Sequence, residues 1–141
     1  MRARFYVLVA GLGLLATAAP MLAHHSFTAE YDATKPVTLT GTVTKVEWMN
    51  PHARFYIDVK DESGTVTNWE LELGSPNALM RLGWTRNSLK PGEQVSVEGS
   101  LAKDGSKLAN ARKVTLADGR KVFAGSVADS DTKSDAKSDA K

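Results

Sequence analysis

Residues 42–73 decide the fold: Thr42-Val-Thr-Lys-Val-Glu-Trp-Met-Asn-Pro-His-Ala-Arg-Phe-Tyr-Ile-Asp-Val-Lys-Asp-Glu-Ser-Gly-Thr-Val-Thr-Asn-Trp-Glu-Leu-Glu-Leu73. Ala53, Phe55, Ile57 and Val59 alternate with Arg54, Tyr56, Asp58 and Lys60. Trp69, Leu71 and Leu73 alternate with Asn68, Glu70 and Glu72 in the same way. A period of two marks a pleated strand with one face buried and the other in water. Asp61-Glu62-Ser63-Gly64 joins the two runs as a short polar loop with the glycine that such a hairpin needs. The stretch therefore predicts an antiparallel hairpin with Phe55, Ile57, Val59, Trp69 and Leu71 inside and the Glu70/Glu72 pair on an exposed face. Ahead of it, Trp48-Met49-Asn50-Pro51-His52 turns the chain out of an earlier strand.

That earlier strand begins at Val37, with Val37, Leu39 and Val43 inward, after which the apolar phase slips to Val46 and Trp48. A slip beside Gly41 predicts a bulge and a strongly bent strand, as a small barrel needs at its corners. Downstream, Ser75 and Pro76 start a helix of about two turns that stops at Gly83, offering Leu79, Met80 and Leu82 to the core. Pro91-Gly92 opens a fourth strand with Val95, Val97 and Leu101 inward. A turn at Lys103–Ser106 leads to a last strand from Leu108 to Leu116, and a short extra strand spans Lys121–Phe123. Three strands, a helix and two strands predict an all-β domain with one short helix, a five-stranded OB-fold-like Greek-key barrel over residues 37–124.

The flanks carry different signals. Arg2 and Arg4 precede an apolar run from Phe5 to Ala19 and small residues up to Ala23, the pattern of a secretory signal peptide over 1–23. The run falls short of the roughly 20 apolar residues of a spanning helix, so the expectation is an exported, periplasmic protein with no membrane insertion after cleavage. Cleavage after Ala18 competes with cleavage after Ala23. Residues 24–36 read as an irregular arm pinned by Phe27 and Tyr31. Residues 125–141, a Ser/Asp/Ala/Lys repeat with nothing to bury, read as a disordered tail.

Composition narrows the function. There is no cysteine, which removes disulfides and thiolate metal sites. Of 18 Lys+Arg, Arg2 and Arg4 leave with the signal, so the remaining 16 balance 16 Asp+Glu. A chain without net charge lacks the footprint of a nucleic-acid binder, and no nucleic-acid partner is expected. The sequence shows no Ser/His/Asp set and no phosphate-binding glycine loop; a binding module is expected rather than an enzyme.

The sequence resembles a family of small exported bacterial proteins, mostly from proteobacteria, of unknown function. The resemblance rests on His24-His25-Ser26-Phe27, Gly41-Thr42-Val43, Trp48-Met49-Asn50-Pro51-His52, Trp69-Glu70 and Leu82-Gly83-Trp84, with Pro91-Gly92 and Gly99. It covers roughly residues 24–123 and implies a periplasmic OB-like barrel without an established activity.

The three histidines, His24, His25 and His52, are the residues with the most chemistry to offer. Cleavage after Ala23 makes His24 terminal, so that its amine and imidazole chelate one ion and a second imidazole completes a nitrogen-rich site of the kind Cu(II) favours. His52 lies in the loop between the first two strands, one of the ligand-binding loops of OB-folds. Copper or another divalent ion at His24, His25 and His52 is thus the leading expectation. The bland reading is an exposed arm plus a histidine that satisfies a tight turn. The rival function is an interaction or envelope-stress barrel that takes a protein or small ligand on the strand 2–3 face through Arg54, Tyr56 and Glu70. On that face, cross-strand pairs of Arg54 with Glu70 or Glu72 are expected.

Overall fold

The computed structural model describes residues 27–124; the expected signal peptide, His24, His25 and the expected tail lie outside the described residues. A helical turn over 27–30 leads into β1 (Tyr31–Glu47), followed by β2 (Arg54–Lys60) and β3 (Val66–Glu72). Helix α1 (Pro76–Arg81), β4 (Gln94–Ala102), β5 (Leu108–Thr115) and β6 (Lys121–Phe123) complete the chain.

The expected antiparallel hairpin forms, with Phe55 opposite Leu71 and Ile57 opposite Trp69. The predicted slip in β1 is a register shift between Val43 and Lys45. β1 crosses the molecule, pairing with β2 through one half and with β4 along Pro36–Thr42. Gly41 is required there, because a Cβ would lie 2.4 Å from the Asp58 carbonyl oxygen. β5 pairs antiparallel with β4, and its first residues pair parallel with β3 (Glu70–Glu72 with Leu108–Asn110). This parallel seam closes the ring β1-β2-β3-β5-β4, which with a helix between β3 and β4 is the OB-fold. β6 occupies the rest of the same edge of β5, and Gly74 N donates to Ala124 O where β3 leaves the seam.

Val43, Phe55, Ile57, Leu71, Leu73, Val97 and Val114 fill the barrel. Ser75 Oγ accepts from Ala78 N and caps α1. Of the three expected residues only Leu79 enters the core, whereas Met80 and Leu82 stay about half exposed. The six-residue helix buries Pro76 and Leu79, and Trp84 and Leu89 supply the rest of the plug. Trp84 Nε1 donates to Phe123 O at 2.8 Å, tying the plug to β6.

Other expectations are corrected. The irregular arm ends at Tyr31 rather than before Val37. Residues Tyr31–Pro36 belong to β1, but their pairing is interrupted between Tyr31 and Pro36, where Asp32 Oδ1 accepts from Thr34 N. That local turn erased the alternation. A second shift between Glu98 and Gly99 leaves Leu101 half buried and puts Ala102 inside a small outer cluster with Phe27 and Tyr31. Trp69 is half buried at the rim, with the Lys107 ammonium 5.2 Å from its ring. Among the described residues no helix is long and apolar enough to cross a membrane.

Candidate functional site

The outer cluster creates the site. Phe27 and Tyr31 stack with ring centroids 5.5 Å apart and lie over the end of β3. They are held by the β4–β5 turn, where Lys103 N donates to Glu30 O and Lys103 Nζ to Thr28 O. Beneath them Glu72, expected on an exposed face, is only 5% exposed. Period-two alternation placed it on the correct side of the sheet, but that side is covered here by a segment distant in sequence.

Glu72 joins two chemistries. Its Oε1 lies 3.1 Å from His52 Nδ1, and its Oε2 lies 3.5 Å from Arg54 Nη2. Arg54 sits directly opposite Glu72 in the hairpin and sends Nη1 to Glu70 Oε1 at 2.7 Å. Both expected Arg54 pairs therefore form. A carboxylate oxygen 3.1 Å from a ring nitrogen favours a proton on that nitrogen, since two lone pairs would repel. In the neutral ring this contact favours the proton on Nδ1 and leaves the lone pair on Nε2. The expectation that His52 serves only the backbone of its turn is replaced by this contact. The Asn50–Pro51 peptide that delivers His52 is cis.

Phe27, Glu30, Tyr31, His52, Arg54, Glu72 and Asn110 enclose a cavity of about 150 Å³. Tyr31 forms its floor, 2% exposed, and its hydroxyl makes no hydrogen bond of normal geometry among the described residues. Burial first, then the nearby charges of Glu72 and Glu30, push the phenol well above its ordinary pKa. It is a neutral donor at any physiological pH.

The rest of the strand 2–3 face is occupied with itself. Tyr56 Oη donates to Glu47 Oε2 at 3.2 Å, and Lys45 pairs with Glu47 while its ammonium sits 5.1 Å from the Tyr56 ring. Asn68 Nδ2 donates to Asp58 Oδ1 at 2.7 Å. Of the residues expected to form a ligand face, Arg54 and Glu70 meet each other while Tyr56 turns to Glu47.

Among the described residues no three His, Asp or Glu side chains gather closely enough to hold a metal ion on their own. Of the three histidines, His52 is described, and it opens onto the cavity that Phe27 also lines. The sequence reading missed Glu30, Asn110 and the burial of Glu72. The available signal was the carboxylate placed opposite Arg54 near the only loop histidine.

The profile of one protein family matches residues 11–111, nearly three quarters of the chain. The chain belongs to DUF6152, a family of unknown function. No curated protein matches this DUF6152 member. Among solved structures it is similar to Rim1, a mitochondrial single-stranded DNA binding protein from S. cerevisiae, at 12% identity and a TM-score of 0.46. The alignment covers 58% of this chain and 92% of Rim1. It is also similar to the N-terminal domain of PriB from Thermoanaerobacter tencongensis, at 21% identity and a TM-score of 0.40, over 59% of this chain and 96% of that one.

Proposed function

We propose that this protein is an exported, periplasmic binding module that holds Cu(II), or a similar divalent ion, with His52 and the histidines His24 and His25. The observation that carries this reading is the common cavity of Phe27 and His52. Covalent geometry keeps His25 Cα within about 7 Å of Phe27 Cα and His24 Cα within about 11 Å. Two further imidazoles are thereby tethered within three residues of a side chain that shares its cavity with His52. With cleavage after Ala23, the amine of His24 adds a further nitrogen, giving the donor set that suits tetragonal Cu(II). Glu72 supports the same reading, because a metal-bound histidine commonly gives its other ring N–H to a carboxylate. The protein acts as a carrier or buffer of the ion.

A ligand on the strand 2–3 face is the less favoured reading. Arg54, Tyr56 and Glu70 already engage one another or Glu47, and the acidic mixture there argues against a nucleic-acid strand. The test is a copper titration of the mature protein followed by electron paramagnetic resonance. A type-2 signal that disappears in His24→Ala and in His52→Ala is expected. Binding weaker than about 10 µM, near −7 kcal/mol, overturns the proposal, since a loose peptide does as well.

A further inference from the structure

The chain contains two Asp-Gly pairs, Asp104-Gly105 in the turn between β4 and β5 and Asp118-Gly119 in the turn between β5 and β6. Such a pair can modify itself. The glycine nitrogen attacks the aspartate Cγ and closes a cyclic imide, and the missing Cβ leaves that nitrogen open to the approach. Both pairs are exposed, and both glycines have a positive φ, 78° at Gly105 and 84° at Gly119. They differ in their hydrogen bonds. Gly119 N donates to Leu116 O at 2.9 Å. Arg120 holds both Asp118 oxygens, Oδ1 through its backbone N–H at 2.9 Å and Oδ2 through Nε at 2.6 Å. An amide already donating and a carboxylate in an ion pair both resist closure of the imide. Among the described residues Gly105 N donates no hydrogen bond, and the Asp104 carboxylate is held by Ser106, with Oδ1 accepting from Ser106 N at 2.9 Å.

The less protected turn is also the one that holds the cover of Glu72. Lys103, next to Asp104, donates from its backbone N to Glu30 O at 2.9 Å and from Nζ to Thr28 O. Ala102 and Leu108, on either side of the turn, pack with Phe27 and Tyr31.

We propose that Asp104-Gly105 is a self-modification site, isomerising to isoaspartate ahead of Asp118-Gly119, and that the isomerised turn loosens its hold on residues 27–31. The Asp104 carboxylate takes a proton from water, the bond from Gly105 N to Cγ forms, and the carboxyl hydroxyl leaves with the amide proton as water. Water then reopens the imide at either carbonyl. Breaking the bond to Cγ restores aspartate, whereas breaking the bond to the Asp104 carbonyl carbon routes the main chain through Cβ and Cγ. The mass is unchanged overall, and no oxidant, metal or ligand takes part. The product adds a methylene to the main chain beside Lys103, which shifts that residue against Thr28 and Glu30.

The test incubates metal-free, full-length mature protein at physiological pH and temperature and maps it with endoproteinase Asp-N, which cuts before aspartate but not before isoaspartate. The cut before Asp104 is expected to be lost at least about fivefold faster than the cut before Asp118, the factor that one hydrogen bond at Gly119 N represents. Amide hydrogen exchange over residues 27–31 is expected to rise in step with that loss. In Asp104→Ser it is expected to stay at its initial value, because the serine hydroxyl still accepts from Ser106 N but forms no imide. Retention of the cut before Asp104, equal loss at the two aspartates, exchange that does not rise in wild type, or exchange that rises equally in Asp104→Ser overturns the proposal.

Discussion

At the scale of single residues, Glu72 has the largest consequences. A carboxylate that is 5% exposed is tolerated only because both of its oxygens have partners, His52 on one side and Arg54 on the other. Removing its charge while keeping its shape separates orientation from packing. In Glu72→Gln, His52 is expected to lose its bias toward the Nδ1–H tautomer, which ¹⁵N chemical shifts of the metal-free protein report directly. Copper affinity is expected to fall about 10- to 100-fold, the usual effect of removing the partner of a ligating histidine. An unchanged ¹⁵N spectrum would mean that the 3.1 Å contact does not orient the ring. The pair with Arg54 was legible in the cross-strand pattern, but the burial of Glu72 and its contact with His52 were not, because alternation distinguishes the two faces of a strand but not what covers each one.

Among elements, the hairpin, the bulge in β1, the capped helix and the short β6 were readable because each depends on neighbours in sequence. Phe55, Ile57 and Leu71 follow from period-two alternation, the bulge from the slip between Val43 and Val46, and the helix start from Ser75-Pro76. Features made by distant segments were not readable: the burial of Glu72 under Tyr31, the exposure of Met80 and Leu82, and the phase change at Gly99. Gly99 gives the element-scale prediction. A Cβ there would sit 2.2 Å from the Asn110 carbonyl oxygen, a backbone atom that cannot rotate away. Gly99→Ala is expected to lower stability by about 3 kcal/mol or more, as forced overpacking does, measured as a lower midpoint in urea. A midpoint within error of wild type would show that β4 and β5 can separate there at little cost.

For the whole molecule, the histidines were legible as residue types, but only the fold brings Phe27 and His52 to one cavity. Tyr31 is expected to weaken the domain at alkaline pH. Its phenol titrates well above the ordinary value near 10, while in the unfolded chain it titrates near that value. The unfolded state therefore releases its proton first as pH rises, so stability is intact below about pH 10 and is lost above it, at about 1.4 kcal/mol per pH unit from this residue. Tyr56 shifts in the same direction through weaker burial and Glu70. In Tyr31→Phe the alkaline decline is expected to be much shallower, as followed by thermal melts between pH 9 and 11 (roughly one unit either side of the phenol's ordinary value).

The crossing path of β1 sets an order of events for a chain that emerges from its amino end. Thr42 meets Gln94 and Tyr31 meets Ala102, so one long margin of the first strand stays unfilled until nearly the entire domain has appeared. The closing seam comes later still, since Glu70 waits for Leu108. Such distant partnerships slow folding and leave sticky β-strand margins exposed in the interim. In a newly made molecule those margins are therefore expected to stay exposed until its last third is free to fold.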